Sequence, residues 1–491
     1  MLLLGIDIGT SSIKVSVVDA ATQQCLATVQ YPDKETPISS PQPGWAEQSP
    51  ELWWQHVQDA IKKANATKAY DPAEVGAIGI AYQMHGLVVT DRDYMVLRPS
   101  IIWCDSRAVP YGEAANEALG VDYCLQHLLN SPGNFTASKL AWVKENEPAV
   151  YARIAHVMLP GDYIAFRLTG TVTTTASGLS EGVFWDFTRN ELSGDVLDYF
   201  GFDRGFFNKL QDVFSVHGRL DRQIAENLSL RVGIPVSYKA GDQPNNALSL
   251  GVTEPGEVAA TAGTSGVIYA VSDKPGFDPQ SRVNSFAHVN HTKDQTRTGV
   301  LLCINGTGIL YNWAKQQIGG GAGYEQLNEL AATVSPGSDG VTVLPFGNGA
   351  ERMLGNRSTG VQFSGIDLNH HRQAHLFRAL QEGIAFAFRY GLDIMRSNGL
   401  EPLSIRAGRA NLFQSEIFLQ SFVSATGVPV TLYPSDGSVG AALGAGIGAG
   451  YYKDVKDAFS LQQAIRTLTP DECPSLEEAY QGWLQQLNKQ L

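Results

Sequence analysis

Residues 3–8 are apolar at almost every position, Gly9-Thr10-Ser11-Ser12 interrupts them, and Ile13, Val15 and Val17 then alternate with Lys14 and Ser16. A period of two predicts a strand, so residues 3–8 and 13–18 read as a β-hairpin turning at 9–12. A related phrase, TAGTSGVIYAVSD, occupies 261–273 and again joins Gly-Thr-Ser to β-branched residues and an Asp. Gly263 and Asp273 have the same offset as Gly9 and Asp19. The echo predicts two halves that each open on strand–turn–strand, with a boundary near residue 245.

Between and after these hairpins the period switches between two and 3.6. Strands are predicted at 75–80, 236–239, 403–407 and 428–432. Helices are predicted at 49–65, 138–146, 162–169, 371–397 and 415–426, the last ended by Gly427, with a Gly/Ala helix at 438–450 and an amphipathic one from Ser475. Ser138 and Asp162 have the chemistry of N-caps. His370-His371 reads as a solvated helix start, and GGGAG at 319–323 as a flexible loop. The expected fold is α/β, with helices on the faces of two sheets. A helix of Gly and Ala suits close packing against a neighbour or a ligand.

The length of 491 residues exceeds what one core supports, so two domains are expected, 1–245 and 246–491. With 43% hydrophobic and 17% charged residues the chain is globular in composition. A net charge of −13 without a basic stripe argues against a nucleic-acid partner. Local donors and one Mg²⁺ still suffice to hold a nucleotide's phosphates. Cys25, Cys104, Cys124, Cys303 and Cys473 are scattered and odd in number, which disfavours disulfides and zinc and fits a reducing cytoplasm. Asp7 interrupts the leucines of MLLLGIDIG early, and neither a basic leader nor a cleavage site accompanies them, so no signal peptide is expected. Nor does any apolar run reach membrane-spanning length; the richest, 437–450, is mostly Gly and Ala behind Asp436.

Several segments carry candidate chemistry. Asp7 followed by Gly9, Thr10 and Ser11 joins an acid at a strand end to a small-residue turn, which suits phosphate and Mg²⁺ but equally an ordinary hairpin. It is neither a Walker loop nor a dinucleotide fingerprint, which leaves a dehydrogenase without support. Gly263 and Thr264 lie in the second such turn; two turns facing across a cleft would grip one polyphosphate. Asp242, in AGDQPNN just past a strand, can accept a proton from an attacking hydroxyl or simply shape a turn. YQMHG (82–86) and WCDSR (103–107) mix aromatic, acidic and amide groups, which suits a polyol, though His85 and Trp103 taken singly read as core residues. AGRAN (407–411) suits a nucleotide base or ribose, or a tight turn.

In order along residues 3–450, GIDIGTSSIKVSVVD, YQMHG, IIWCDSR, FTASKLAWVKENEP, LPGDYIAFRLTG, AGDQPNNALSLG, TAGTSG and GSVGAALGAG together resemble the FGGY family of carbohydrate kinases. Met84-His85 is most similar to the members that phosphorylate D-xylulose. The resemblance implies two actin-like (ribonuclease H-like) ATPase domains around a cleft, with ATP and Mg²⁺ as cofactors. It implies Asp242 as proton acceptor and Asp7 as the organiser of Mg²⁺ through intervening water. Met84, His85, Trp103, Asp105, Arg107 and Asp242 are implied at the sugar. Gly9, Thr10, Ser11, Gly263, Thr264, Gly308, Gly408 and Asn411 are implied at the nucleotide. Another ketose or polyol, such as L-ribulose or glycerol, and a sugar sensor without catalysis remain alternatives, and a homodimer is one assembly such a resemblance allows. The chain departs from the family at Arg409, at GAERML (349–354) and at Pro244.

Overall fold

The computed structural model describes every residue except Asn208 and Ser435. Two large sheets dominate it. The first is built from β1 (Leu2–Ile8), β2 (Ile13–Asp19), β3 (Cys25–Tyr31), β4 (Val75–Tyr82), β5 (Gly218–Arg219) and β6 (Pro235–Gly241), in the order β5-β6-β4-β1-β2-β3. The second contains β7 (Glu257–Ala262), β8 (Gly266–Ser272), β9 (Asn284–Ala287), β10 (Thr298–Ile304), β11 (Ser404–Gly408), β12 (Val430–Tyr433) and β13 (Arg466–Leu468), in the order β9-β10-β8-β7-β11-β12-β13.

Strand by strand the sheets correspond. β1 pairs antiparallel with β2 and parallel with β4, and β4 runs parallel to β6. Likewise β7 pairs antiparallel with β8 and parallel with β11, and β11 runs parallel to β12. The 9–12 and 263–265 turns therefore occupy equivalent corners, and the echo in the sequence is a repeated fold. Among the described residues, only β9 lacks a counterpart.

Helices cover the sheets: α1 (Pro50–Ala66), α2 (Thr136–Asn146), α3 (Pro160–Thr169), α4 (Ala176–Glu181), α5 (Asp242–Ser249), α6 (Gly308–Ile318), α7 (Tyr324–Ala332), α8 (Gln373–Ser397), α9 (Glu416–Thr426), α10 (Gly437–Gly448) and α11 (Pro474–Asn488). Ser49 caps α1 through Leu52 N, and Gly427 closes α9 in the left-handed conformation at φ 68°. His370 and His371 precede α8, the first exposed and the second half-buried, while Trp483 and Tyr480 of α11 pack inside the second core.

Two expected caps are not caps. α2 begins at Thr136, and Ser138 instead bonds the Pro132 carbonyl at 3.2 Å. α3 begins at Pro160, and Asp162, at its third position, accepts from Leu159 N at 3.3 Å and pairs with the buried Lys239.

The Gly/Ala helix α10 comes from the second half of the chain but packs on the first sheet, across β1, β4 and β6. A methyl on Gly5 would fall 1.8 Å from the Ser438 carbonyl oxygen, and one on Gly79 1.9 Å from that of Ala441. Small residues on both surfaces let backbones touch, which explains the helix's lack of bulk. Ser16 and Ser438 bridge the contact by hydroxyls 2.8 Å apart. A division at residue 245 falls inside α5.

Candidate active site

Because β1, β4 and β6 are parallel neighbours, residues just past their C-terminal ends share one edge of the sheet, the usual place for a ligand in such folds. Asp7 lies near the end of β1, Met84 and His85 follow β4, and Asp242 follows β6 directly. The loop expected around Asp242 is instead α5, with Asp242 as its first residue. Pro244 sits within the first turn, where a missing N–H costs nothing.

Asp7 and Asp242 are each half-buried and electrostatically coupled. Burial, reinforced by Asp7, raises Asp242 to about 7. Burial, reinforced by Asp436 and opposed by Lys14, raises Asp7 to about 6. Asp436 caps α10 through Ser438 N at 2.9 Å and pairs with Lys14 at 3.2 Å. Gly437 approaches so closely that a methyl there would lie 2.4 Å from Asp7 Oδ2. Asp7 thus has two carboxylate neighbours and one ammonium, a surplus of negative charge with oxygen donors that fits a hard divalent cation.

Met84 is buried against Gly241, where a methyl would meet its Cγ at 2.6 Å. His85 holds φ 63°, rare for a residue with a Cβ. Its Nδ1 lies 2.8 Å from the Glu181 carbonyl, which can only accept, so Nδ1 carries the proton and Nε2 is left as an acceptor. Burial, helped by the Lys139 cation, lowers His85 to about 3, so the ring stays neutral. Phe135 at 4.8 Å and Phe286 of β9 at 5.4 Å flank it. The second half of the chain therefore contributes to the surroundings of the first half's site. Trp103, 53% exposed, donates from Nε1 to Thr10 Oγ1 at 2.9 Å and lies over the 9–12 turn.

Asp105 and Arg107 depart from the expected sugar contact. Asp105 is wholly buried, and its oxygens are taken by Arg107, by Arg107 N and by Ala46 N. The Arg107 guanidinium stacks 3.8 Å from the Trp45 ring and reaches Glu47 at 2.7 Å. Desolvated charges this fully paired brace the loop carrying Trp103 and present no free atom to a ligand.

On the second sheet, Gly263 and Thr264 follow β7 and border a cavity of about 1390 Å³, along with Gly308 and Asn411. Gly308 N donates to Gly263 O at 2.9 Å and Ile309 N to Thr264 O at 3.1 Å, locking the turn to the start of α6. Tyr311, Asn328 and Ser415 form another wall, tied together through Gln381. Gly408 is not brought to the cavity; it pairs with Tyr433 in the sheet. Gly9, Thr10 and Ser11 stay with the first sheet. Ser11 O accepts from Thr36 N at 2.7 Å, and Thr10 O from Gln48 Nε2 at the same distance.

Sequence reasoning missed Glu181, Lys139, Asp436 and Arg352. Glu181 is buried beside Gly241, and burial together with Asp242 raises its carboxyl well above the ordinary range. Arg352, in the divergent GAERML stretch, is held by Asn284 Oδ1 at 3.0 Å and bears electrostatically on His85. Only Lys139 carried a signal, a lone cation inside the apolar stretch KLAW.

The sequence of residues 2–249 matches the N-terminal domain of the FGGY family of carbohydrate kinases, and residues 258–451 match its C-terminal domain. The chain is 30% identical to the xylulose kinase of Klebsiella pneumoniae, covering 90% of this chain and 88% of that one. It is 28% identical to the xylulose kinase of Bacillus subtilis, covering 94% and 91%. The crystal structure of xylulose kinase from Rhodospirillum rubrum, 28% identical, superposes with a TM-score of 0.89 over 100% of this chain and 99% of that one. Two repeated actin-like sheets, the site at their strand ends and both family domains in order leave one conclusion: the chain is a sugar kinase and belongs to the FGGY family of carbohydrate kinases.

Proposed function

We propose that the chain transfers the γ-phosphoryl group of ATP to O5 of D-xylulose, giving ADP and D-xylulose 5-phosphate. The observation that carries this reading is Asp242, coupled to Asp7, on the same sheet edge as Met84 and a neutral His85. The xylulose kinases named above supply the sugar.

Asp242 accepts the proton of the attacking hydroxyl as the O5–P bond forms and the bond from γ-phosphorus to the β–γ bridging oxygen breaks. A free carboxylate near 4 is a weak base, and one raised to about 7 is matched to neutral pH while still partly ionised. His85 Nε2 accepts from a sugar hydroxyl, and Met84 and Trp103 offer apolar surface to the CH faces. Gly263 and Thr264, with Gly308 and Asn411, border the space for the nucleotide, and Gly9, Thr10 and Ser11 form the opposing turn. Asp7 would hold Mg²⁺ through water, with Asp436 nearby, and the ion when bound would neutralise phosphate charge. Closure of the halves would exclude water as a competing acceptor. A cytoplasmic setting and a division into domains near residue 245 belong to the same proposal.

ADP release with Mg-ATP and D-xylulose, L-ribulose, L-rhamnulose, gluconate or glycerol, against a no-sugar control, tests it. Strong stimulation by D-xylulose is expected. Stimulation by another member alone would refute the sugar assignment, and stimulation by none would favour a sensor.

A further inference from the structure

Lys139 sits on α2 with its side chain fully buried, a costly place for an ammonium unless it is well solvated by the protein. Its Nζ donates to the His85 carbonyl at 2.8 Å and to the Ile102 carbonyl at 3.0 Å. Those carbonyls belong to two different segments: 82–86, which carries Met84 and His85 at the end of β4, and 101–107, which carries Trp103. A backbone bridge from Leu87 N to Ile101 O, 3.1 Å, aligns the segments at their base. Lys139 fixes what lies beyond that bridge. His85 needs such help, because its φ of 63° is a conformation that a residue with a Cβ leaves when released. The residue is thus held at two points, by Lys139 on its backbone oxygen and by the Glu181 carbonyl on its ring.

We infer that Lys139 is a positioning residue of the sugar site: by gripping the carbonyls of His85 and Ile102 it sets the affinity for the sugar without touching it. The inference rests on the reading that Met84, His85 and Trp103 face the sugar. It predicts a separation of the two substrates, since neither carbonyl borders the nucleotide cavity.

The electrostatics agree with that role. Burial lowers the Lys139 ammonium to about 7, against the pull of Asp105, Cys104 and Glu181 and with the push of Arg107. His85 also faces it and stays neutral. The neutral amine has one N–H fewer and a lone pair, so its hold on two carbonyls weakens as pH rises through about 7.

The test compares wild type, Lys139→Met and Lys139→Arg by D-xylulose Kd from intrinsic fluorescence, by KM for D-xylulose and ATP, and by thermal midpoint. Methionine keeps the apolar stem and removes the donors. Losing charged hydrogen bonds should raise the sugar Kd and KM about ten-fold or more while ATP KM stays within about two-fold. Arginine should recover most of the loss. If the methionine variant is insoluble, the wild-type profile from about pH 6 to 9 decides: sugar Kd should rise above about 7 with ATP Kd flat. Unchanged sugar affinity, sugar and ATP constants rising together, or a flat sugar profile would overturn the inference. Sugar binding without turnover in wild type would refute the kinase reading and still leave the Kd comparison to judge Lys139. A wild type that binds no D-xylulose would remove both.

Discussion

Replacing Asp242 by Asn should abolish most turnover and, at the same time, stabilise the ligand-free protein. The folded state holds this carboxyl at about 7 against an ordinary 3.8, chiefly through burial and then through Asp7. Fully expressed, that displacement corresponds to ~4 kcal/mol against the charged form. The side chain is only half-buried, so water relieves part of it and roughly 1–2 kcal/mol is expected. A raised folded pKa means that the native state binds more protons than the unfolded chain between about pH 4 and 7. Wild type therefore loses stability as pH rises through that window and bears the whole penalty above about 7. Asparagine carries no charge and escapes it. The assay is a thermal melt of both proteins without Mg²⁺ or nucleotide at about pH 5 and 8, beside turnover at saturating substrates. The variant should melt higher at pH 8, the gain should shrink at pH 5, and turnover should fall by roughly 10²–10⁴ for loss of a general base. A variant that melts no higher at pH 8, or whose turnover stays within about ten-fold, would refute the reasoning.

Further outcomes follow from the same geometry. Wild-type turnover should decline as pH falls below about 7, because protonated Asp242 cannot accept the hydroxyl proton; a plateau down to pH 5 would contradict this. Arg107→Ala leaves the Asp105 carboxylate buried and unpaired and should cost about 3–5 kcal/mol in urea unfolding, more than Trp103→Ala at the exposed end of the same loop. Gly5→Ala drives a methyl into the Ser438 carbonyl and should give insoluble or strongly destabilised protein in expression and melting trials. Gly437→Ala crowds Asp7 Oδ2 and should reduce turnover more than it lowers the melting temperature, as paired kinetic and melting measurements would show.

Local pattern revealed the hairpins, because alternation and small-residue turns are properties of adjacent residues. That the two hairpins sit in sheets of the same strand order was carried by one echo of eleven residues, Gly9–Asp19 against Gly263–Asp273. The Gly/Ala composition of α10 announced a close approach, but not that its partner is the sheet of the other half, since nothing local specifies a contact between residues 5 and 438. Capping misled for a related reason. Ser138 and Asp162 have cap chemistry, yet the helices begin two residues earlier, and both side chains serve longer-range partners. The placement of Asp7 and Asp242 at neighbouring strand ends was legible from the apolar runs and small residues around them. Asp105 and Arg107 were placed at the sugar because a motif records that residues belong together, not whether they face a ligand or brace the loop behind it. Lys139, Glu181 and Asp436 act through burial and through contacts with distant segments, which no spacing along the chain encodes.

The turnover effects predicted above depend on transfer of a phosphoryl group onto a ketopentose. Phosphorus NMR of the products from Mg-ATP and D-xylulose reads that directly. ADP and a phosphate monoester coupled to the C5 protons are expected, in equal amounts. Inorganic phosphate in place of the ester, or an ester on another carbon, would contradict it.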